Sequence, residues 1–412
     1  MQDRAQIVVI GAGIAGSSIA MHLAQLGRKD VLVLEQGELI SGTTSHAPGL
    51  IGQMRSHVGL TRLLMDSVNL YRGLQLDGVS GFQEVGSLRV ASSAARLAEC
   101  RRQLAFAKKC GLQAELLTPA ETLDKFPLLT GESLHGAIFM PTDGSATAPV
   151  LAGAMIRDAR ALGVTFAPHT AVTAIEKSAA GAIRAVVTDK GRVETETLVI
   201  ATGIWSPVVG RLAGVSIPLT PMQHQYVETA PLAELPAKPL PNMRDPDNLF
   251  YVRQKQDFLV LGGYERDPRP WSTPIPRREN PTVQTFDAAH FESLLGAARS
   301  RLPVVAEAPI ARGVNGLESF TTDGAFLLGP APESPGVWVA CGFCAHGVSG
   351  GGGVGKAIAQ WIVGGDPGHD LTTMSLERFG GQAFDAATIE RLACGVYRTY
   401  YDVVPEAPML AG

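Results

Sequence analysis

An α/β fold around a buried parallel sheet is what this sequence predicts, and three stretches carry the prediction. They are QIVVIGAGIAGSSIAMHLAQLGRKDVLVLEQG (6–37), TETLVIATGIW (195–205) and GVWVACGFCAHGVSGGGGVGKAIAQWIVGG (336–365). In each, a short apolar run rich in β-branched residues leads into glycine or another small residue. That is the pattern of a strand covered on both faces and ended by a tight turn.

The first stretch holds a complete unit. Ile7–Ile10 forms the opening strand, and Gly11, Gly13 and Gly16 follow with G-x-G-x-x-G spacing. Ile19, Ala20, Leu23, Ala24 and Leu26 recur at helical intervals until Gly27 supplies a C-terminal stop. A second buried strand, Val31–Leu34, ends at Glu35, 19 residues beyond Gly16. Gly11 permits the turn, Gly13 lets backbone approach a pyrophosphate, and Gly16 lets helix and strand pack closely. The diphosphate belongs at the helix N-terminus, where unpaired N–H groups and the positive end of the dipole point. Glu35 stands at the strand tip, where a carboxylate accepts hydrogen bonds from ribose hydroxyls. Glycine turns alone also serve packing, but strand, glycines, helix, strand and acid in this order specify a Rossmann-like dinucleotide-binding unit. An acid rather than an arginine after the second strand favours FAD or NAD over NADP.

The other two stretches favour FAD. Ala201, Thr202 and Gly203 make a small-residue turn that lets backbone approach the nucleotide from the far side. Behind Gly336 comes another buried strand, then a glycine-crowded turn that sets Gly347, Gly350 and Gly351 against the cofactor, then a helix through Ala357, Ile358 and Trp361. A second helix start suits a flavin, because negative charge grows at the N1/C2 carbonyl edge of the reduced ring and a helix N-terminus stabilises it. The rival reading makes Gly350–Gly353 only a flexible loop.

SGTTSHAPGL (41–50) sets one bulky polar ring, His46, among small and hydroxylated residues. Together with HQYVETAP (224–231), NLFYVR (248–253), NGLESFTTDGAFLLG (315–329) and HGVSGGGGVGK (346–356), it resembles the flavoprotein portion of the dimethylglycine oxidases, dimethylglycine dehydrogenases and sarcosine dehydrogenases. These belong to the D-amino-acid-oxidase-like FAD superfamily. The resemblance runs through nearly the whole chain, as far as YYDVVP (400–405).

The resemblance implies a Rossmann-like FAD-binding domain built from discontinuous segments, with an inserted antiparallel-sheet substrate domain. The expected division is 1–83, 141–215 and 311–370 for FAD, 84–140 and 216–310 for substrate, and 371–412 as a C-terminal extension. Element by element, the sequence reads as a helix near Leu60–Leu76, a strand in 84–91, an amphipathic helix Ala94–Cys110 and a capped helix in 118–129 stopped by Pro127. A helix through Val150–Leu162 and a strand at Val164 return the chain to the flavin domain. Gln223–Glu228 and Leu249–Gly263 alternate as strands of a sheet roofing the flavin, with proline-rich connections at 231–246 and 267–281.

For the site, the resemblance implies that His46 is bonded to the 8α-methyl of FAD, with Gly42, Thr43, Thr44 and Ala47 letting backbone lie against the ring. The alternative is a histidine bonded to loop backbone beside a noncovalent flavin. His224 and Tyr251 are the implied catalytic residues: an imidazole that titrates near neutrality and a phenol that orients the amine suit proton handling at an alkylammonium. The implied reaction takes a hydride from the carbon next to nitrogen to flavin N5 and leaves an iminium that water hydrolyses, which N-demethylates a small-molecule amine. Arg253 and Arg312 are candidate partners for a substrate carboxylate, without a motif to choose between them. His346 either lies near the ring or caps the last helix. Longer relatives carry a folate-binding domain beyond the point matching Pro405, so formaldehyde is expected to leave into solvent or pass to a separate folate-binding or electron-accepting subunit.

Composition removes other classes. A net charge of −4 with no long basic run leaves nothing to track nucleic-acid phosphates. No window approaches 18 uninterrupted apolar residues, so no membrane span is expected. Five scattered cysteines argue for a reducing, cytoplasmic setting over a disulfide framework. Cys341 and Cys344, though C-x-x-C, have no second pair and read as small apolar residues at a buried strand end.

Overall fold

The computed structural model of the chain describes residues 2–271 and 283–404. Most of the expected proline-rich connection after residue 267, and the end of the C-terminal extension from Pro405, lie outside the described residues.

A six-stranded sheet forms the nucleotide-binding half. Its order is Thr165–Ala167, Val31–Leu34, Ile7–Ile10, Thr197–Ile200, Val337–Cys341 and Leu327–Pro330. All neighbours are parallel except the last pair. Ile7–Ile10 and Val31–Leu34 are buried throughout because both faces are covered, one by helices and the other by a three-stranded antiparallel sheet (Val172–Lys177, Ile183–Thr188 and Gly191–Glu194) with the short helix Ser206–Leu212. The opening helix, Ile14–Gln25, packs between the helices Ala148–Ala161 and Gly347–Gly364.

The second half is a nine-stranded sheet. It draws Ser87–Ala91, Glu115–Leu117 and Gly136–Met140 from one part of the chain and Leu219–Thr229, Asn242–Asp245, Phe250–Lys255, Phe258–Gly263, Val283–Gln284 and Ile310–Thr321 from another. Its pairs are antiparallel apart from one parallel junction, Asn242–Asp245 on Ser87–Ala91. One expected boundary moves. The chain was to re-enter the flavin domain at 311, but Ile310–Thr321 pairs along its whole length with Leu219–Thr229, so the crossing falls after Thr321.

The glycine-crowded stretch is also different from its expectation. Gly350–Gly353 are not a turn: the helix begins at Gly347 and runs unbroken through them to Gly364. Each glycine costs about 1 kcal/mol of helix propensity against alanine, which is why local reading breaks the helix there. Close packing overrides that cost. A Cβ at Gly353 would sit 1.9 Å from the carbonyl oxygen of Leu63, so only glycine lets this helix press against Val58–Tyr71. Hydroxyls complete the contact: Ser67 Oγ accepts the Gly353 N–H at 2.8 Å and Tyr71 Oη accepts that of Gly352 at 2.9 Å.

The C-terminal helix Ala386–Arg398 packs on Leu219–Thr229 and Ile310–Thr321 of the nine-stranded sheet. No helix among the described residues is long and apolar enough to cross a membrane, and no cluster of His, Cys, Asp or Glu among them has metal-binding geometry. All five cysteines are free thiols, and burial pushes those of Cys341 and Cys344 up to about 12 and about 11, so neither is a thiolate at neutral pH.

Candidate active site

A cavity is lined by residues of both halves. One end is lined by Glu35, Gln36 and Glu38, the middle by Gly11, Gly13, Ile14 and Ala15, and the far end by His224, Arg244, Tyr251, Tyr264 and Glu318.

The first two parts are made chiefly of backbone. Gly11 has φ +103°, and a Cβ there would lie 2.4 Å from the Ala201 carbonyl oxygen, so the ends of two strands close on each other. Thr202 and Gly203 continue the same wall. The Glu35 carboxylate accepts N–H bonds from Ala12 and Gly37, both at 2.9 Å, which fixes it at the cavity edge while leaving lone pairs on each oxygen. A helix start at mid-length and a fixed carboxylate at one end fit a dinucleotide: Glu35 would hold the ribose, Gly13–Ala15 the diphosphate.

The loop Ser41–Leu50 folds into a 3₁₀ turn at Thr43–His46. Thr44 Oγ1 accepts the Ile14 N–H at 3.0 Å, which ties the loop to the opening helix. Thr43 Oγ1 donates to the Leu317 carbonyl at 2.9 Å, which ties it to the nine-stranded sheet. Both threonines line the cavity, as do Ala47, Pro48 and Gly347. His46 is buried behind this wall. Its ring lies where a Cβ on Gly316 would meet it at 2.5 Å, so Gly316 is what admits the imidazole. Burial, helped by Arg312, pulls its pKa down to about 4, and the ring is neutral.

Gly350 and Gly351, expected against the cofactor, do not line the cavity. A Cβ on Gly350 would meet the Phe326 ring, and one on Gly351 the Ile14 side chain. They serve helix packing, while Gly347, Val348 and Ser349 of the first turn border the cavity.

The far end is made of side chains gathered across the sheet. Arg244, Tyr251, Gly262 and Tyr226 stand opposite one another on four adjacent strands, so their side chains share one face. A side chain at Gly262 would collide with the Tyr251 phenol at 2.3 Å, so glycine there leaves that phenol room beside His224. Tyr251 Oη lies 3.3 Å from His224 Nε2, Tyr397 Oη lies 3.0 Å from His224 Nδ1, and Tyr397 donates to Glu265 Oε2 at 2.6 Å. With Tyr397 donating to the carboxylate, Nδ1–H donates to Tyr397 and Nε2 accepts from Tyr251. Burial, with His46 nearby, pulls His224 down to about 4, so this ring is also neutral. Tyr264 stacks on Tyr400 with ring centroids 4.0 Å apart, and Tyr400 Oη lies 2.8 Å from His346 Nε2.

The remaining candidates separate clearly. Arg253 is buried and donates to the carbonyls of Gly49 and Ala146, so it pins the loop and does not face the cavity. Arg312 is exposed beside Glu228. Neither lines the cavity, whereas Arg244, overlooked in the sequence, does. Burial opposes the charge of Arg244, but Tyr401, Tyr400 and Asp143 outweigh it and raise its pKa. His346 occupies the helix N-cap position without a side-chain cap bond and instead faces the cavity with Tyr400. Tyr264 was an alternative to Tyr251 for lining this sheet, and both line the cavity, whereas Glu318, Tyr397 and Tyr400 were missed. The one available signal was density: three of the chain's seven tyrosines fall within residues 397–401.

The chain matches the FAD dependent oxidoreductase family over residues 6–361. It is 34% identical to the mitochondrial sarcosine dehydrogenase of Mus musculus, over 100% of this chain and 46% of that protein. It is 33% identical to the mitochondrial dimethylglycine dehydrogenase of Homo sapiens, over 92% of this chain and 45% of that one. It thus spans about half the length of these relatives. Among solved structures, glycine oxidase from Geobacillus kaustophilus superposes with a TM-score of 0.78 at 26% identity, covering 92% of this chain and 99% of that one. With a family match that spans both sheets and a cavity that fits the dinucleotide, the chain belongs to the FAD dependent oxidoreductases.

Proposed function

We propose that this chain oxidises a secondary or tertiary N-methyl amino acid of the sarcosine or dimethylglycine type. A hydride leaves the carbon next to nitrogen, water hydrolyses the iminium, and the products are the demethylated amine and formaldehyde. The flavin, when bound, supplies the two-electron acceptor. The observation that carries the reading is the pairing, at one cavity end, of a guanidinium, Arg244, with a neutral phenol–imidazole pair, Tyr251 and His224. The names of the two dehydrogenase relatives support the same substrate class.

Arg244 binds the substrate carboxylate, for which a planar guanidinium is matched. Tyr251 donates a hydrogen bond to His224 Nε2 and presents oxygen lone pairs to the amine. His224, held at both ring nitrogens by phenols, is the positioning residue that fixes Tyr251. Gly11, Gly13, Gly16, Glu35, Thr43, Thr44, Thr202, Gly203 and Gly347 hold the cofactor or its walls. His46 would attach it covalently: burial keeps its ring neutral, and bond formation needs an imidazole in its neutral form. Protein denatured in acid that stays yellow with a mass increment of FAD supports the attachment, and colourless precipitate rejects it.

The function is tested by anaerobic mixing with sarcosine, N,N-dimethylglycine, glycine and proline. Bleaching of the flavin by the N-methyl compounds supports the proposal. Bleaching by glycine alone supports the second reading, an oxidase of an unmethylated amino acid, which the likeness to glycine oxidase favours. No bleaching by any of them supports a flavoprotein that turns over only with a partner chain.

A further inference from the structure

Glu318 stands in Ile310–Thr321 opposite Met222, two residues from the Gly316–His224 pair, and therefore on the same face of the sheet as His224. It lines the cavity. Among the described residues no side chain or backbone group bonds to its carboxyl, and no cation lies near enough to offset its burial. The groups sharing its cavity are otherwise committed. Both His224 nitrogens are bonded to phenols, His346 Nε2 is bonded to Tyr400, and Arg244 is a cation. The phenols of Tyr251 and Tyr264 are held well above their ordinary value, first by burial. His46, behind the wall, Tyr401, at the cavity edge, Tyr226 on the same sheet face, and Glu265 with Tyr397 behind His224 are the other titratable groups on this side.

We propose that Glu318 is the group with which the substrate nitrogen shares its proton, so that the amine reacts in its neutral form and a nitrogen that retains an N–H is preferred over a fully substituted one. This rests on the N-methyl amino acid reading and names the proton acceptor and the substrate subclass within it. The step moves no electrons: one N–H bond of the ammonium breaks, one O–H bond forms on the carboxylate, and the pair's total charge stays zero. In a cavity shielded from water, a neutral acid beside a neutral amine is less costly than two separated ions. The neutral nitrogen then has the lone pair that hydride departure requires. A secondary amine keeps one N–H, which donates to the carboxyl carbonyl oxygen, whereas a neutral tertiary amine has none to donate.

Burial pushes Glu318 up to about 8, so in the free site it carries a proton near neutrality. An ammonium arriving there brings a second proton, and sharing one releases the other. The experiment titrates flavin-loaded protein anaerobically with N-methylglycine and N,N-dimethylglycine, recording flavin absorbance and, with a pH dye in weak buffer, protons released per amine bound. Wild type is expected to release close to one proton per N-methylglycine at neutral pH and fewer as pH rises through about 8. Glu318→Gln, isosteric and uncharged, binds without release, reduces roughly 100-fold more slowly at neutral pH, regains rate in alkali, and loses the preference for the secondary amine. Glu318→Asp keeps the release. Equal release by Glu318→Gln, or an unchanged preference, overturns the proposal, with flavin content and melting temperature confirming the variant's fold. If neither probe reduces wild type, the N-methyl reading fails while the proton count on binding still decides Glu318. If neither probe binds, the same count with glycine and proline decides it.

Discussion

At the opening turn the cavity wall is backbone: Gly11 against the Ala201 carbonyl, the Ala12 and Gly37 N–H groups on Glu35, and the helix start at Gly13–Ala15. At the amine end the wall is side chains, brought from four strands, a loop tyrosine at 264 and the segment after the last helix. A ligand common to many proteins is gripped by groups every residue has, so only the shape of the turn must be specified. Chemistry on one kind of amine needs particular side chains at particular places, and distant strands supply them.

This contrast implies different failures at the two ends. Gly11→Val meets both a backbone carbonyl and a left-handed φ, at a cost of roughly 2–5 kcal/mol, and is expected to yield colourless or insoluble protein, seen as lost flavin absorbance per chain. Tyr251→Phe is expected to keep full flavin content and slow flavin reduction by roughly 100-fold, measured by anaerobic stopped flow. Retention of both rate and flavin would place the chemistry elsewhere. Arg244→Lys exchanges a planar fork for a point charge, and is expected to raise KM roughly 10-fold with little change in kcat.

Acid separates the ends in a further way. His46 and His224 are held near 4, well below the ordinary histidine value of 6.5, so the unfolded chain binds more protons than the folded one between these limits. Their contribution to stability is present above about 6.5 and is lost as pH falls toward 4, by up to about 1.4 kcal/mol per pH unit for each ring. His224→Gln is expected to flatten the acid side of a melting-temperature profile, and an unchanged slope would exclude a buried neutral ring. The smallest expected effect is Thr44→Val, which removes the hydroxyl that accepts the Ile14 N–H: about 1 kcal/mol of stability, with slightly weaker flavin retention.

Local signals foretold much of the chain. The helix expected at Ala94–Cys110 has those bounds, and Thr118 and Glu121 form the capping box that starts Pro119–Lys125. The failures are as informative. Gly350–Gly353 contradict helix propensity, and only their packing partners, Phe326, Ile14, Ser67 and Leu63 in turn, explain them. Arg253 and Arg312 were weighed and Arg244 was passed over, since nothing local says that Arg253 meets the carbonyls of Gly49 and Ala146 while Arg244 faces an open cavity. The C-terminal tyrosines read as an unremarked tail until the helix carrying Tyr397 docks on the sheet.

What the sequence by itself determined was the dinucleotide cradle, because its turn and buried strands are written in contiguous residues, while the inserted sheet and the candidate pair His224 and Tyr251 were carried by the family resemblance. What only the tertiary structure decided was the amine end: which arginine faces the cavity, that Tyr397 and Tyr251 bracket His224, and that Glu318 stands there without a bonding partner among the described residues. The physical reason is that a strand's side-chain alternation names a face but not what covers it, and the covering elements come from chain segments tens to hundreds of residues away.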